Sequence, residues 1–358
     1  MKRNIIYDYQ IFLKQKYGGP SKYFVELNKN INKKNFSNKI VAPFHVNRHL
    51  RDSEFNRGNF FFYKKFNLNN FLSKYNQYNT LKLLKNLHNP IIHSTYYNLK
   101  YLRDIKCKKI VTVYDLIHEK LYPEKKLNDD DNKKNAIMDA DFFICISKNT
   151  QKDLIEIYNV EPQKTKVIYL SSSLPKKEIK VKKNKDYLLF VGNRSGYKNS
   201  EFILRALAKY EKFKKNFDLY FFGGPKFTKD EINMLNDIEI FNNTKHLGND
   251  EKKLKSLYKN ALCLIYPSLY EGFGIPLLEA MECGCPILCC NTPALKEIGQ
   301  DAVEYFQQNN EDSFIESLEK IIYSKDLINK IKKSGFQRRS HFSWEKCAEE
   351  TEQIYKNL

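Results

Sequence analysis

Two glutamates eight positions apart are the residues most able to bind a polar ligand. Glu271 and Glu279 flank the turn Gly272-Phe273-Gly274, and Pro276 then opens a helix that is predicted to end before Gly284. Glycines let backbone amides approach a ligand closely, and a helix N-terminus gathers unpaired N–H groups with partial positive charge. The segment is therefore predicted to hold a polyhydroxylated, negatively charged molecule such as a nucleotide sugar.

Basic residues follow a second strand-like run. Arg194 and Lys198 come after Tyr187–Val191, with Gly192 directly behind the run. A guanidinium can bind a diphosphate through its planar fork, and an ammonium can do so as a point charge. The alternative is that both side chains form surface ion pairs and do not bind a ligand. Near the N-terminus, Gly18-Gly19-Pro20 also follows a strand-like run and is either a simple turn or a ligand contact.

Short apolar runs alternate with helical patterns along most of the chain, which predicts parallel sheets with crossover helices. The alternation begins again after a polar stretch that starts at Ser171 and contains Pro175. We therefore predict an α/β protein of two Rossmann-like domains: residues 1–172, a linker at 173–186, and residues 187–342. One amphipathic helix is predicted over 343–358. The predicted strands are Asn4–Asp8, Lys39–Pro43, Pro90–His93, Lys109–Val113, Asp141–Ile146, Thr165–Tyr169, Tyr187–Val191, Leu219–Phe222, Ala261–Tyr266 and Pro286–Cys290.

Composition excludes several classes of protein. The chain has 358 residues, of which 42% are hydrophobic, and no apolar run is long enough for a transmembrane helix. The first residues lack the apolar core of a signal peptide. Eight scattered cysteines lack the paired spacing of a zinc site and are expected to be reduced, buried thiols. These features predict a cytoplasmic protein.

The net charge of +19 is concentrated in the first half of the chain. Lys and Arg outnumber Asp and Glu by 37 to 18 over residues 1–190, whereas the remaining residues carry 24 of each kind. A compositional bias toward lysine is one explanation. The other is that the first half faces an anionic partner, either a membrane surface or an acidic acceptor. No recognisable nucleic-acid module accompanies the charge, so nucleic acid is not an expected partner.

Several motifs together resemble the family-four retaining glycosyltransferases of the GT-B fold, in which two Rossmann-like domains face each other across a cleft. The most specific segment is residues 245–306, which contain both glutamates, and residues 191–199 (VGNRSGYKN) are part of the same resemblance. Residues 93–97 (HSTYY), 111–124 and 140–173 have counterparts in the same order. Mannosyltransferase-type members are the most similar.

The resemblance implies a role for each matching residue on the donor side. Glu279 would accept hydrogen bonds from the ribose, from a position in the first helical turn, and Arg194 and Lys198 would bind the diphosphate and stabilise its developing charge. The resemblance also implies contacts of the donor sugar with Glu271 and the amides of Gly272, Phe273 and Gly274, and places His246, Leu247 and Gly248 near the base. Gly18 and Gly19 would lie at the phosphates or on the acceptor side, and Gly192 and Ile275 would also be part of the donor site.

The first half departs from the family pattern at one position. Many relatives have a histidine before the aspartate where this chain has Tyr114-Asp115, and that histidine usually contacts the donor sugar. Asp115 or His118, in the same predicted loop, could contact the sugar or the acceptor instead. His93 is either an acceptor-side residue or a structural one.

The resemblance implies a retaining glycosyltransferase that transfers a sugar from a nucleotide diphosphate, with GDP-mannose as the first choice of donor. The acceptor would be a hydroxyl of a glycan or of a lipid-linked acceptor in surface polysaccharide assembly. No cofactor and no metal are expected. Asp129-Asp130-Asp131 matches a metal-binding D-x-D signature, but its position at the start of a helical pattern favours a structural role. The alternatives are a nucleotide-sugar epimerase and an inactive scaffold subunit that binds nucleotide sugars.

Overall fold

The fold is given by a computed structural model that describes residues 2–60, 69–124, 130–183, 185–194 and 196–358. The chain divides into two units, one formed by Met1–Leu170 with Ser343–Leu358 and the other by Ser171–Phe342. Residues 173–186, which the sequence predicts as a linker, fall within the second unit. Their backbone is bonded to it, since the Ile179 N–H donates to the Lys252 carbonyl at 2.8 Å.

The N-terminal unit is built on a parallel sheet, whose central strands are mostly apolar. Among the described residues six strands form this sheet in the order β2-β1-β5-β6-β7-β8, and β3 pairs with β4 beside it. Every residue of Ile91–Ser94 is buried, as expected for a strand covered on both faces. The strands are β1 (Arg3–Tyr7), β2 (Phe36–Ile40), β3 (Phe44–His45), β4 (Asn59–Phe60), β5 (Ile91–Ser94), β6 (Lys108–Val113), β7 (Phe142–Cys145) and β8 (Thr165–Val167).

The helices of this unit connect successive strands. Ser147 caps the helix that begins at Lys148, because its side chain accepts a hydrogen bond from the Thr150 N–H. The D-x-D match lies partly outside the described residues: Asp129 is not described, and a helix begins at Asp130. The helices are α1 (Gln10–Lys14), α2 (Gly19–Asn30), α3 (Arg48–Arg51), α4 (Asn69–Lys85), α5 (Ile117–Leu121), α6 (Asp130–Asp139) and α7 (Lys148–Tyr158).

The C-terminal unit contains a second parallel sheet whose strands follow the order β11-β10-β9-β12-β13-β14 within the described residues. The order reverses between β9 and β12, as in dinucleotide-binding folds, so these two neighbouring strands form the switch point of the sheet. The strands are β9 (Asp186–Val191), β10 (Phe217–Phe222), β11 (Thr244–His246), β12 (Cys263–Tyr266), β13 (Ile287–Cys290) and β14 (Glu304–Phe306).

Helices of the C-terminal unit bury their apolar faces on this sheet. Leu204 and Leu207 of one helix pack in a cluster with Leu188 and Phe190 of β9. The helices are α8 (Ser200–Lys209), α9 (Glu211–Asn216), α10 (Lys229–Asp237), α11 (Leu254–Asn260), α12 (Ile275–Glu282), α13 (Pro293–Gly299), α14 (Glu311–Tyr323) and α15 (Lys325–Arg339). Among the described residues no helix is long and apolar enough to cross a membrane.

All eight cysteines are free thiols. Six are buried, as expected, but Cys107 and Cys283 are only partly buried. Burial raises the pKa of the Cys290 thiol to about 11. The buried cysteines therefore act as small apolar side chains in the cores.

The last helix, α16 (Trp344–Asn357), returns to the N-terminal unit and packs against α2. Its Tyr355 hydroxyl lies 2.7 Å from His93 Nδ1 and 3.2 Å from the Tyr7 hydroxyl. On the other side of the ring, His93 Nε2 lies 2.7 Å from the Thr112 hydroxyl. Both ring nitrogens have hydroxyl partners, so His93 is a structural residue that ties α16 to β1, β5 and β6.

Complete burial lowers the pKa of the His93 imidazole to about 3. Above the unfolded-state pKa of about 6.5 both states are neutral. As the pH falls below that value, only the unfolded chain takes up the proton, so the folded state loses up to about 1.4 kcal/mol per pH unit until the pH nears 3.

We expect the free energy of unfolding, measured in urea between pH 7 and pH 5, to fall more steeply for the parent than for His93→Gln. The glutamine variant is expected to be less stable at pH 7 but to lack this histidine's contribution to the slope. His88→Gln, at an exposed position, is the control and should keep the parental slope. Equal slopes for the parent and His93→Gln would contradict the assignment.

Candidate active site

The reversal of strand order places an ion pair where the loops after β9 and β12 meet. Lys198 Nζ donates to Glu271 Oε1 at 2.5 Å, and both side chains are largely buried. The loops are joined through their backbones as well, since the Leu269 N–H donates to the Tyr197 carbonyl at 2.8 Å. Ligands of open α/β sheets bind at such switch points. The structure thus brings together two residues that the sequence singles out separately.

Tyr266, the last residue of β12, contacts both members of this ion pair. Its hydroxyl accepts a hydrogen bond from Lys198 Nζ at 3.1 Å and is also bonded to Glu271. Burial, together with the charges of Glu271 and Glu279, raises the pKa of Tyr266 well above its usual value. The phenol therefore stays protonated and can donate to a carboxylate.

Glu279 lies on α12 with its side chain held by a buried tyrosine. The Tyr258 hydroxyl donates to Glu279 Oε2 at 3.0 Å, and the glutamate is buried. The expected position in the first helical turn is wrong: α12 begins at Ile275, so Glu279 is its fifth residue. The carboxylate is thus oriented by Tyr258 rather than by the helix N-terminus.

The turn before α12 requires glycine at its last position. Gly274 has φ 103°, a conformation that side chains rarely adopt, and an added Cβ would lie 3.0 Å from Leu295. The neighbouring Phe273 ring is buried and makes an edge contact with Phe342, with the centroids 5.9 Å apart. Phe273 therefore anchors the turn, which carries the amides of Gly272 and Ile275 toward the start of the helix.

The guanidinium of Arg194 was expected to bind a diphosphate, but in the structure it is already paired with a glutamate. Its Nε donates to Glu231 Oε1 at 2.7 Å and its Nη2 to Oε2 at 3.1 Å, while the side chain is 4% exposed. Phe227 covers the guanidinium at 4.7 Å. Only Nη1 is buried without a hydrogen-bond partner. The planar fork is occupied, so the structure supports a positioning role through Glu231.

Backbone segments after β9 and β10 pack closely around this arginine. An added Cβ on Gly224 would lie 3.3 Å from the Gly192 carbonyl oxygen and 3.6 Å from Arg194 Nη1, and its φ is 68°. Sequence analysis picked out Gly192 but not the pair Gly223-Gly224, although two adjacent glycines directly after a strand-like run were a usable signal. Glu231 was also missed, since its pairing with Arg194 spans 37 positions.

His246 is the last residue of β11, the edge strand of the same sheet, and Leu247 follows it directly. The His246 Nε2–H donates to the Gly223 carbonyl at 3.0 Å, and the Leu247 N–H donates to the Phe221 carbonyl at 2.9 Å. The structure thus places both residues beside the Gly223-Gly224 loop, in the C-terminal unit that also carries Lys198 and the two glutamates. Their expected contact with a nucleobase stays a prediction.

The other predicted contacts lie in the N-terminal unit. Gly18 immediately precedes α2 and Gly19 is its first residue, where backbone N–H groups lack partners within the helix. Asp115 is half-buried, and its backbone carbonyl accepts a hydrogen bond from Lys133 Nζ at 2.9 Å. His118 is exposed and lies in the short helix α5 rather than in the predicted loop. Their expected contacts with phosphates, sugar or acceptor stay predictions.

Tyr114 stands where many relatives have histidine, and its hydroxyl is buried without a hydrogen-bond partner among the described residues. Burial raises the pKa of this phenol well above its usual value. Its backbone N–H donates to the Tyr97 hydroxyl at 3.4 Å. The hydroxyl is thus a polar group buried at a free-energy cost.

The strand order of the N-terminal sheet also reverses, between β1 and β5. A carboxylate at this point is buried, and its oxygens accept hydrogen bonds from neighbouring residues. Asp8 is fully buried and accepts hydrogen bonds from Gln10, Ser94, Thr95 and Tyr101. Sequence analysis placed Asp8 at the end of a strand without a role. Its saturated hydrogen bonding makes it a structural residue. No cluster of three or more potential metal-ligating residues occurs in the described part of the chain.

Residues 172–338 match the family model described as "Glycosyl transferases group 1". An uncharacterized glycosyltransferase of Methanocaldococcus jannaschii, MJ1607, is 27% identical over 234 residues, which are 60% of this chain and 59% of the relative. The O-antigen chain mannosyltransferase RfbU of Salmonella typhimurium is 26% identical over 255 residues, 69% of each chain. The chain thus spans about three-fifths of the first relative's length.

A solved structure similar to the whole chain is sucrose-phosphate synthase of Thermosynechococcus elongatus. Its TM-score is 0.78 at 16% identity, with 100% of this chain and 99% of that one covered. Similarity at this identity concerns the fold alone, and it confirms the predicted GT-B fold of two Rossmann-like domains. The resemblance read from the motifs is confirmed at the level of the group 1 family. The unit that carries Lys198, Glu271 and Glu279 is the part of the chain that matches the group 1 glycosyl transferase model.

Proposed function

We propose that this protein transfers a sugar from a nucleotide-diphosphate sugar to a hydroxyl of a glycan or lipid-linked acceptor in surface polysaccharide assembly. The observation that carries the proposal is the buried pair of Lys198 with Glu271, linked through Tyr266 to the neighbourhood of Glu279. One cation and two carboxylates at a switch point match a ligand that combines a diphosphate with two sugars. The family of the domain supports the same reaction class.

In this proposal each charged group meets one part of the donor. Lys198 stabilises the charge that develops on the leaving diphosphate, and an ion pair that is already buried makes that stabilisation stronger than in water. Glu271 accepts hydrogen bonds from hydroxyls of the transferred sugar once Lys198 turns to the phosphates. Glu279, oriented by Tyr258, accepts hydrogen bonds from the ribose.

Transfer is proposed to retain the anomeric configuration, with the leaving phosphate taking the acceptor proton on the same face of the sugar. No dedicated protein nucleophile is then required. The proposed donor is GDP-mannose, supported by the mannosyltransferase relative RfbU. Lys198 supplies a positive charge beside the diphosphate, and we propose that turnover does not depend on a metal ion.

The protein is further proposed to work in the cytoplasm, at the inner surface of the membrane where lipid-linked acceptors are held. The support is electrostatic, because the whole excess of +19 lies within residues 1–190. A basic surface attracts anionic lipid headgroups and concentrates the enzyme beside its acceptor.

Substitutions at Lys198 and Glu279 test the donor site. We expect Lys198→Ala to lower kcat/KM by about 10²–10³, because stabilisation of the leaving diphosphate is lost. Glu279→Gln should mainly raise the KM for the donor, by about 10–100-fold, because a charge-assisted hydrogen bond to the ribose is weakened. Rates are measured with a panel of nucleotide sugars, with and without EDTA, and the parental rate should persist in EDTA.

Lys209→Ala is the matched control, since Lys209 is also ion-paired in this unit but is 72% exposed. Its rate should stay within about twofold of the parent, as expected for a surface ion pair. Undiminished transfer by both site variants would refute the site assignment. Release of free epimerised sugar without an acceptor would instead identify an epimerase.

The Arg194–Glu231 pair is proposed to hold the loop after β10 in place. Glu231→Gln leaves a buried guanidinium poorly compensated, and we expect a loss of about 1–3 kcal/mol in the free energy of unfolding, less than for a fully buried pair because Glu231 is partly exposed. The double variant Arg194→Gln/Glu231→Gln should lose less than the sum of the two single variants. Glu201→Gln, which breaks an exposed ion pair with Arg205, should cost less than about 1 kcal/mol. Additive losses in urea titrations would show that the pair is not coupled.

Tyr114→Phe tests whether the residue that replaces the usual histidine contacts a substrate. Removing an unpaired buried hydroxyl should raise the free energy of unfolding by about 1 kcal/mol. Under the proposal the kcat/KM of Tyr114→Phe stays within about twofold of the parent, because Asp115 or His118, rather than Tyr114, contacts the sugar. Tyr97→Phe, which removes the acceptor of the Tyr114 N–H, should destabilise the protein instead. A tenfold loss of transfer in Tyr114→Phe would make its hydroxyl a substrate contact.

A further inference from the structure

One face of α4 exposes large aromatic side chains to solvent. Phe71 and Tyr78 are each 62% exposed and Tyr75 is 43% exposed. Lys82 and Lys85, both exposed, continue the same spacing of four and three positions. Residues at these intervals lie on one side of a helix, so the five side chains form a continuous stripe, which we call the α4 stripe.

The opposite face of α4 fixes the orientation of the stripe. Asn76 is fully buried, and its side chain accepts from the Phe44 N–H at 3.0 Å and donates to the Phe44 carbonyl at 2.9 Å. Ser73 and Gln77 are bonded to the Tyr9 hydroxyl at 2.8 and 3.0 Å. Because these polar contacts hold the helix from one side, the aromatic rings cannot turn inward without breaking them.

The charge of the helix has one sign. The sequence of α4 contains Lys74, Lys82 and Lys85 and no acidic residue. Beside the stripe lies a pocket of about 390 Å³ that includes Lys82 in its lining. The described residues of its lining supply cations, side-chain amides and apolar groups but no carboxylate: Lys39, Arg57 and Lys82 with Asn79, Asn86, Leu50 and Phe55.

This combination matches the headgroup region of an anionic bilayer. Aromatic side chains insert at the boundary between headgroups and acyl chains, and lysines of the same helix contact lipid phosphates. A pocket with cationic and amide donors next to apolar side chains can accept a phosphate together with the glycerol and acyl carbons attached to it. A second copy of the chain is a poorer occupant, since a two-fold contact would bring two basic stripes together.

We propose that the α4 stripe, with the basic pocket beside it, docks the N-terminal unit on an anionic phospholipid surface. The inference rests on the proposed membrane association and assigns it to one helix. It places the aromatic rings in the interfacial region and Lys74, Lys82 and Lys85 among the lipid phosphates.

The test is co-sedimentation of the full chain with phosphatidylcholine vesicles, with and without phosphatidylglycerol. The parent should bind the anionic vesicles and lose binding as salt increases. Phe71→Ser/Tyr78→Ser should partition about tenfold less, because the apolar area that enters the interface is removed. Lys74→Gln/Lys82→Gln/Lys85→Gln should partition about a hundredfold less, since each lysine near the surface contributes a factor of about five.

Two controls separate a specific surface from general charge attraction. Lys106→Gln/Lys108→Gln/Lys166→Gln removes the same charge from exposed positions elsewhere in the unit, and Tyr323→Ser removes an exposed aromatic residue of the C-terminal unit. Both should bind nearly as well as the parent. Equal losses in the two lysine triples, or parental binding by the α4 variants, would overturn the assignment to α4 alone.

The remaining outcomes concern the membrane itself and the enzyme. A parent that does not bind anionic vesicles would overturn both the α4 assignment and the membrane association. Transfer to a soluble acceptor should stay at the parental rate in the α4 variants, and a loss there would identify the stripe as an acceptor-binding surface and refute lipid docking. None of these results alters the donor-site test at Lys198 and Glu279, so the two proposals fail independently.

Discussion

The candidate site of the C-terminal unit is organised around the buried ion pair between Lys198 and Glu271. It forms because the strand order of a parallel sheet reverses between β9 and β12, which brings the loops after both strands to one point. Each partner neutralises the other where neither could be buried alone at acceptable cost. The pair therefore keeps two opposite charges ready in a largely dehydrated place. A ligand that carries both a diphosphate and hydroxyls could separate them and satisfy each.

The N-terminal sheet also has a reversal of strand order, but the charge buried there is stabilised in a different way. Its reversal point, between β1 and β5, also contains a buried carboxylate, but Asp8 is saturated by neutral donors from Gln10, Ser94, Thr95 and Tyr101. A carboxylate with all its hydrogen-bonding capacity used has little to offer a ligand. The two sheets thus differ at their switch points. In the N-terminal sheet neutral donors satisfy the buried carboxylate, whereas in the C-terminal sheet an ion pair does so, and a ligand could separate its two members.

The sequence predicts the central strands well because they are short apolar runs with buried residues on both faces, as at Ile91–Ser94. It places β2 at Lys39–Pro43 instead of Phe36–Ile40 and misses the short strands β11 and β14. It also identifies Lys198 and Glu271, since each follows such a run. It does not reveal that Arg194 is occupied by Glu231, because the direction of a side chain after a strand is decided by packing against Phe227. Glu279 was expected in the first helical turn but is the fifth residue of α12, which begins at Ile275, and Tyr258 supplies the orientation that a helix terminus was expected to give.

The path of the chain has a consequence for its biosynthesis. Helix α16 belongs to the N-terminal unit, yet the ribosome makes it only after every residue of the C-terminal unit. Until then His93 lacks its Tyr355 partner and the surfaces of α2 that α16 covers stay open. The unit synthesised first is thus completed last, and the C-terminal unit can finish folding before it. A nascent chain arrested before Ser343 would expose apolar surface of the N-terminal unit to chaperones, although most of that unit had long left the ribosome.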